Sequence, residues 1–223
     1  MADKPTLGYW KIRGLATAIR LQMKYSGVDY EMVEYEQGDG PEFSRAPWLD
    51  HKFTLGLDFP NLPYFVHGDL KFTETLAIHK YIADTWKPEL LGKTAADKAR
   101  ANMLTGVIMD IKTGTTMPCY VDGDKTKIQT CIDNKMPAVV AFLADKAFLV
   151  GDYPTFVDFF FWELLNTLNC YTAGGVYTAY PTLATYHANF ASLPGVKEYL
   201  ADPNSMDAPY TFNNKSAKLN GTV

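Results

Sequence analysis

The hydrophobic pattern of this chain changes character near residue 88, and that change limits its fold more than any other feature. Before it, short β-like runs at 6–9, 30–35, 64–67 and 71–73 alternate with helical spacing; after it the spacing is helical only. Ile12, Leu15, Ala16, Ile19 and Met23 recur at helical intervals, and Gly27 stands where a left-handed cap ends a helix. The turn His67-Gly68-Asp69-Leu70 joins two β-like runs as a tight hairpin, so the third and fourth strands are expected to be antiparallel. Thr73-Glu74-Thr75 then opens a helix through Ile78 and Ile82 toward Trp86. Strand, helix, strand, hairpin, helix is a βαβ-ββα unit. The expected class is α+β with two domains: residues 1–87, an all-α part over 94–223, and a linker at 88–93 carrying Pro88 and Gly92.

Thr155-Phe156-Val157-Asp158 precedes the nearly all-apolar run Phe159-Phe160-Phe161-Trp162-Glu163-Leu164-Leu165. Thr and Asp at that spacing form a capping box, and a helix apolar on nearly all sides belongs at the centre of a core. The tail from Ala208 to Val223, rich in Asn and Lys, reads as loosely ordered and wrapped on the surface.

With 47% hydrophobic and 14% aromatic residues among 223, the chain can fill cores of this size, which excludes a disordered protein. A formal net charge of −4 leaves no basic excess for phosphates, so nucleic acid is not an expected partner. Residues 1–6 lack an apolar core of signal-peptide length, and no segment approaches the roughly 20 apolar residues of a membrane span. A soluble, cytoplasmic protein is expected. Cys119, Cys131 and Cys170 lack C-x-x-C spacing, and His51, His67, His79 and His187 show no ligand spacing, so no metal is expected.

Chemistry concentrates in two stretches: Leu7-Gly8-Tyr9-Trp10 with Arg13-Gly14-Leu15-Ala16, and the loop from Trp48 to Tyr64. Tyr9 ends the first strand, where α/β sheets present ligands, although taken alone it reads first as a packed boundary aromatic. Pro63 after Leu62 at a strand entrance is a candidate cis peptide or simply a rigid turn. These motifs, with the extended loop Glu36-Gln37-Gly38-Asp39-Gly40-Pro41, resemble the mu class of cytosolic glutathione transferases. The resemblance is dense from Leu7 to Ile82, thins afterward, and resumes at Met109-Asp110, Cys119-Tyr120 and 155–159.

The resemblance implies a thioredoxin-like N-terminal domain, an all-helical C-terminal domain and glutathione as cosubstrate, with no permanently bound cofactor. Tyr9 is then the donor that stabilises the glutathione thiolate. A free thiol titrates near ~8.5 and only the thiolate attacks, so a donor that lowers its pKa by about two units supplies roughly 2.7 kcal/mol. The glutathione site implied comprises Tyr9, Trp10, Leu15, Arg45, Trp48, Lys52, Asn61, Leu62, Pro63, Glu74, Thr75 and Asp110. Trp48, Lys52 and Arg45 take the glycine carboxylate, and Leu62 exchanges main-chain hydrogen bonds with the cysteinyl unit. Thr75 receives the glutamyl carboxylate at a helix N-terminus, and Asp110 reaches the glutamyl ammonium across a dimer interface. Read without the resemblance, Arg45, Lys52 and Asp110 are ordinary solvated charges and Thr75 an ordinary cap.

The electrophile pocket implied is formed by Trp10, Leu15, Lys112, Thr113, Tyr120, Tyr210 and Phe212, with Tyr120 assisting the developing charge as a second catalytic residue. On its own, Tyr120 reads equally well as a core aromatic. Phe59 matches an aromatic key inserted into a partner subunit, which implies a homodimer. Two departures stand out. Glu74-Thr75 replaces the usual Gln-Ser pair, and Asp84 occupies a position near the dimer axis where Arg is frequent, so either a basic neighbour such as Lys80 compensates or the interface is arranged differently. The function implied is conjugation of glutathione to small hydrophobic electrophiles in detoxification. A non-catalytic binding or structural descendant, or a glutathione-dependent isomerase or peroxidase, is the alternative.

Overall fold

The structure, a computed structural model, describes residues 4–203, 205 and 210–220. Residues 1–3 of the expected leaderless N-terminus, and residues 208, 209 and 221–223 of the expected tail, lie outside the described residues.

Four strands form a mixed sheet in the order β2-β1-β3-β4: β1 (Thr6–Trp10), β2 (Glu31–Tyr35), β3 (Tyr64–His67) and β4 (Leu70–Thr73). β1 runs parallel to β2 and antiparallel to β3, and β3 pairs antiparallel with β4 across the turn where Gly68 adopts φ +59°. A parallel β1–β2 pair needs a crossover, and α1 (Ala16–Tyr25) supplies it. Gly27 follows it at φ +68°, its N–H donating to the Lys24 carbonyl at 3.1 Å.

The first helix starts later than its apolar spacing suggests, so Ile12 and Leu15 fall in the turn before it. Gly14 sits at φ +46°, outside helical backbone, while the N–H groups of Arg13 and Gly14 donate to the carbonyls of Thr211 (2.8 Å) and Phe212 (3.1 Å). A residue at positive φ cannot belong to a right-handed helical turn, so α1 begins only after Gly14.

α1 and α3 (Thr75–Trp86) are buried on two sides. Ile19 and Met23 of α1 and Ile78 and Ile82 of α3 pack with Leu7 and Phe65 of the sheet. Ala18, Leu21 and Ala83 on their opposite faces join a second core built from α4 (Ala95–Val121), α5 (Lys125–Leu143) and α6 (Phe156–Tyr171). Pro88–Leu91 is a single 3₁₀ turn whose Leu90 is buried in that second core. Among the described residues α2 (Ala46–Leu49), α7 (Gly175–Ala179), α8 (Pro181–Ala191) and α9 (Val196–Ala201) complete the chain, and no helix is long and apolar enough to cross a membrane.

α6 is central, as its composition requires. The buried carboxylate of Asp158 accepts from Thr155 N–H (2.7 Å), the Thr155 hydroxyl (2.9 Å), Leu149 N–H (2.9 Å) and the Tyr186 hydroxyl (3.0 Å). Burial pushes its pKa up while these hydrogen bonds pull it down. The described tail, residues 210–220, is not loose. Phe212 is 1% exposed beneath the Arg13 guanidinium, and Lys218 N–H donates to the Cys119 carbonyl at 2.7 Å. Backbone pairing and one buried aromatic outweigh the polar composition that made this segment look free.

Candidate active site

Tyr9 belongs to strand β1, where it pairs with Glu34 of β2 one residue beyond the end of the β1–β3 ladder at Gly8. Its hydroxyl accepts a hydrogen bond from Leu15 N–H at 3.1 Å and has no acceptor for its own proton among the described residues. Burial drives its pKa well above the ordinary tyrosine value, only partly opposed by the Leu15 N–H. Tyr9 therefore stays protonated at neutral pH and acts as a donor. Gly14 makes this arrangement possible: a Cβ there would lie 2.6 Å from the Tyr9 hydroxyl.

The turn holding Leu15 is anchored from the helical layer. Arg13 Nε and Nη2 donate to the two carboxylate oxygens of Glu163 on α6 at 2.9 and 2.6 Å, and both side chains are buried. A bidentate, fully enclosed pair of this kind fixes orientation as well as charge.

Tyr9 and Tyr120 stand where two cavities meet. One, about 410 Å³, is a polar groove lined by Trp10, Arg45, Trp48, Lys52, Asn61 and Leu62. Trp48 is buried, packed edge-on against Tyr35 with ring centres 5.2 Å apart. Neither Arg45 nor Lys52 has an ion pair among the described residues, and the Lys52 ammonium lies over the Phe53 ring at 5.3 Å. The groove thus offers cationic groups with no internal counterion.

The Leu62–Pro63 peptide is cis, as is Gly40–Pro41. Leu62 N–H is not free for a ligand, however, because the Asn61 side-chain oxygen accepts it at 2.9 Å. An extended ligand taking that N–H has to displace the Asn61 carboxamide. Glu74 and Thr75 do not line the groove, yet the sheet register brings them to its rim. Tyr64 pairs with Thr73, so the residues just before one and just after the other are neighbours. Glu74 has φ +78° and precedes α3, whose first residue is the buried Thr75.

The second cavity, about 260 Å³, is mainly apolar and is lined by Ile12, Leu15, Met109, Met117 and Phe212, with Lys112, Thr113, Thr116 and Tyr120 from α4. The Tyr120 hydroxyl accepts from Asn214 N–H at 3.0 Å, which ties the tail to this wall.

The remaining expected residues are distributed across the chain. Trp10 lines the groove and not the apolar cavity, whereas Leu15 lines the cavity and not the groove. Tyr210 leaves both: its hydroxyl donates to the Glu34 carboxylate at 2.8 and 2.9 Å, a charge-assisted pair that draws the ring to the sheet edge. Asp110 is exposed on α4 and paired with Lys135 of α5 at 3.1 Å. Phe59 is 79% exposed. Lys80 lies over the Phe156 ring at 5.8 Å and forms no ion pair with Asp84 among the described residues.

Sequence reasoning missed Ile12, Gln37, Met109, Thr116, Met117, Asn213, Asn214 and Ser216 as lining residues. Thr116 was legible, since it stands four residues from both Lys112 and Tyr120 on one helical face. Asn213, Asn214 and Ser216 had no local signal, because only the tail's return to the β1–α1 turn brings them in.

Comparison with known proteins agrees with this layout. Residues 5–84 match the family "Glutathione S-transferase, N-terminal domain", and residues 109–203 match "Glutathione S-transferase, C-terminal domain". Glutathione S-transferase Mu 4 of Mus musculus is 38% identical over 209 residues, 92% of this chain and 94% of that protein. A glutathione S-transferase of Mesocricetus auratus is 39% identical over 198 residues, 87% of this chain and 89% of that protein. The crystal structure of the glutathione S-transferase Blo t 8 superposes with a TM-score of 0.86 at 27% identity, covering 96% of this chain and 99% of that one.

Proposed function

The chain belongs to the glutathione S-transferase family, and from that premise we propose that it joins the thiolate of glutathione to small hydrophobic electrophiles. The observation that carries this reading is the Tyr9 hydroxyl. It is buried, protonated, free to donate, and set between a cationic groove and an apolar cavity.

Glutathione lies in the groove, its glycine carboxylate against Lys52, Arg45 and Trp48 and its cysteinyl backbone along Leu62, Pro63 and Asn61. The glutamyl end reaches Glu74 and Thr75 at the head of α3, where the helix dipole favours an anion. Its sulfur then sits at the junction, where Tyr9 donates to the thiolate. Tyr9 is only 6% exposed there, so the donor is worth more than it would be in solvent. The electrophile occupies the apolar cavity beside Leu15, Tyr120 and Phe212.

Division into a glutathione-binding domain (1–87), a linker (88–93) and a helical domain (94–223) suits this reading. So does a cytoplasmic homodimer in which the exposed Phe59 enters the partner, Lys80 and Asp84 lie near the axis, and Asp110 serves the neighbouring site. No permanently bound cofactor is required.

Titration calorimetry with glutathione tests the groove. Lys52→Met removes one charge-assisted contact of about 1.5–3 kcal/mol and should weaken binding roughly 10- to 150-fold. Unchanged affinity, or no binding by the wild type, overturns the assignment.

A further inference from the structure

The apolar cavity contains a nitrogen that thiolate activation does not use. Lys112 lines it from α4, is 7% exposed, and makes no hydrogen bond or ion pair among the described residues. Burial lowers its pKa, with Glu163 of α6 and Cys119 of its own helix opposing the fall and Arg13 of the β1–α1 turn adding to it. A desolvated lysine holds more free amine at neutral pH than an exposed one, and the free amine is the nucleophilic form.

The amine does not face the cavity alone. Thr116, one turn further along the same face of α4, also lines it, and its enclosed hydroxyl has no hydrogen-bond partner among the described residues. Ile12, Leu15, Met109 and Phe212 supply apolar walls. A cavity of about 260 Å³ with this lining suits a compact apolar molecule, and its two unused polar groups are an amine nucleophile and a hydroxyl donor. A carbonyl group answers both, because its carbon takes the amine and its oxygen takes the hydrogen bond.

We propose that Lys112 captures small apolar aldehydes, aromatic ones above all, as a reversible imine, an activity that uses no glutathione. The Nζ lone pair forms a bond to the carbonyl carbon, and the C=O π pair passes to the oxygen, which the Thr116 hydroxyl holds. That oxygen takes one N–H proton, giving a carbinolamine. The carbinolamine then loses its hydroxyl together with the second N–H hydrogen as water, and the C=N bond forms. Water re-entering the cavity restores amine and aldehyde by the reverse steps.

The test incubates the wild type, without glutathione, with benzaldehyde and sodium cyanoborohydride at neutral pH. The reductant turns an imine into a stable benzylamine, which peptide mass spectrometry then locates. Lys112 should be benzylated at least about tenfold faster than Lys98, which is exposed on the same helix, since each unit by which a lysine pKa falls raises its free-amine fraction about tenfold. Glyceraldehyde, which is polar, should show no such preference for Lys112. The fast adduct should vanish in Lys112→Met, and if that variant does not fold, Lys112→Gln is measured in its place. Benzylation of Lys112 no faster than that of Lys98 overturns the capture, and an equal preference with glyceraldehyde overturns the selection of apolar aldehydes. A fast adduct that persists in the variant belongs to another lysine and overturns the role of Lys112. Because glutathione is absent throughout, failure here leaves the transferase reading standing.

Discussion

Substituting Gly14 by Ala should inactivate the enzyme through Tyr9, the side chain that the new Cβ would meet. The new Cβ would stand 2.6 Å from the Tyr9 hydroxyl, 2.7 Å from its Cε1 and 3.0 Å from its Cζ, against 3.4 Å for ordinary contact. Tyr9 must therefore retreat by roughly 0.8 Å at its hydroxyl, the difference of those distances. That shift breaks or lengthens the bond from Leu15 N–H and misaims the donor. A displacement near 1 Å at a catalytic group costs about 100-fold in rate. Separately, Ala at φ +46° carries about 1–2 kcal/mol of backbone strain, or roughly 2–8 °C in Tm for a chain of this size. The two effects are separated by measuring thermal unfolding and kcat/KM for Gly14→Ala, Tyr9→Phe and the double variant. If Gly14 acts through Tyr9, the double variant is no slower than Tyr9→Phe by more than about twofold, because contacting residues couple. Full activity in Gly14→Ala, or losses that multiply in the double variant, would refute this reasoning.

Glu163→Gln removes the buried carboxylate that accepts from both Arg13 Nε and Nη2, and should lower stability by about 3–5 kcal/mol and Tm by roughly 6–20 °C. A melting curve within about 2 °C of wild type would show that the pair is not needed to hold the β1–α1 turn. Burial pushes the His79 pKa down from 6.5 to about 3, and its Nε2 is enclosed without a partner while Nδ1 pairs with Gln22. Between those values the unfolded chain takes up a proton that the folded one refuses. Stability should thus fall as pH drops below about 6.5, by up to about 1.4 kcal/mol per unit. Urea unfolding at pH 7, 6 and 5 should show this slope, and His79→Asn should flatten it; an unchanged slope excludes His79 as the source. Phe59→Glu should convert the proposed dimer to monomer in sedimentation, and a dimer that persists unchanged removes Phe59 from the interface.

Where local chemistry decided the outcome, the sequence was legible. Period-two runs flanking Gly68 form the β3–β4 hairpin, the Thr155–Asp158 spacing caps the central helix, and Pro63 follows a cis bond. Long-range backbone pairing was not legible. Ile12 has helical spacing to its neighbours, but Gly14 at φ +46° keeps the turn out of helical backbone, and the N–H groups of Arg13 and Gly14 pair instead with carbonyls about 200 residues away. The same pairing turns a polar tail into a wall of both cavities. Tyr210 illustrates a different limit, because nothing near it in sequence announces the Glu34 carboxylate that draws it out of the pocket. Charge pairing across helices hid the setting of Asp110 in the same way, since Lys135 lies on another helix.

The central claim is that the buried, protonated Tyr9 hydroxyl stabilises bound thiolate. Its most direct test is the ultraviolet difference spectrum of thiolate on adding glutathione at neutral pH, for wild type and Tyr9→Phe. The account expects bound thiolate in the wild type, and in the variant a thiol whose ionisation appears about two pH units higher. The same thiolate signal at the same pH in both proteins, with glutathione bound in each, would contradict it.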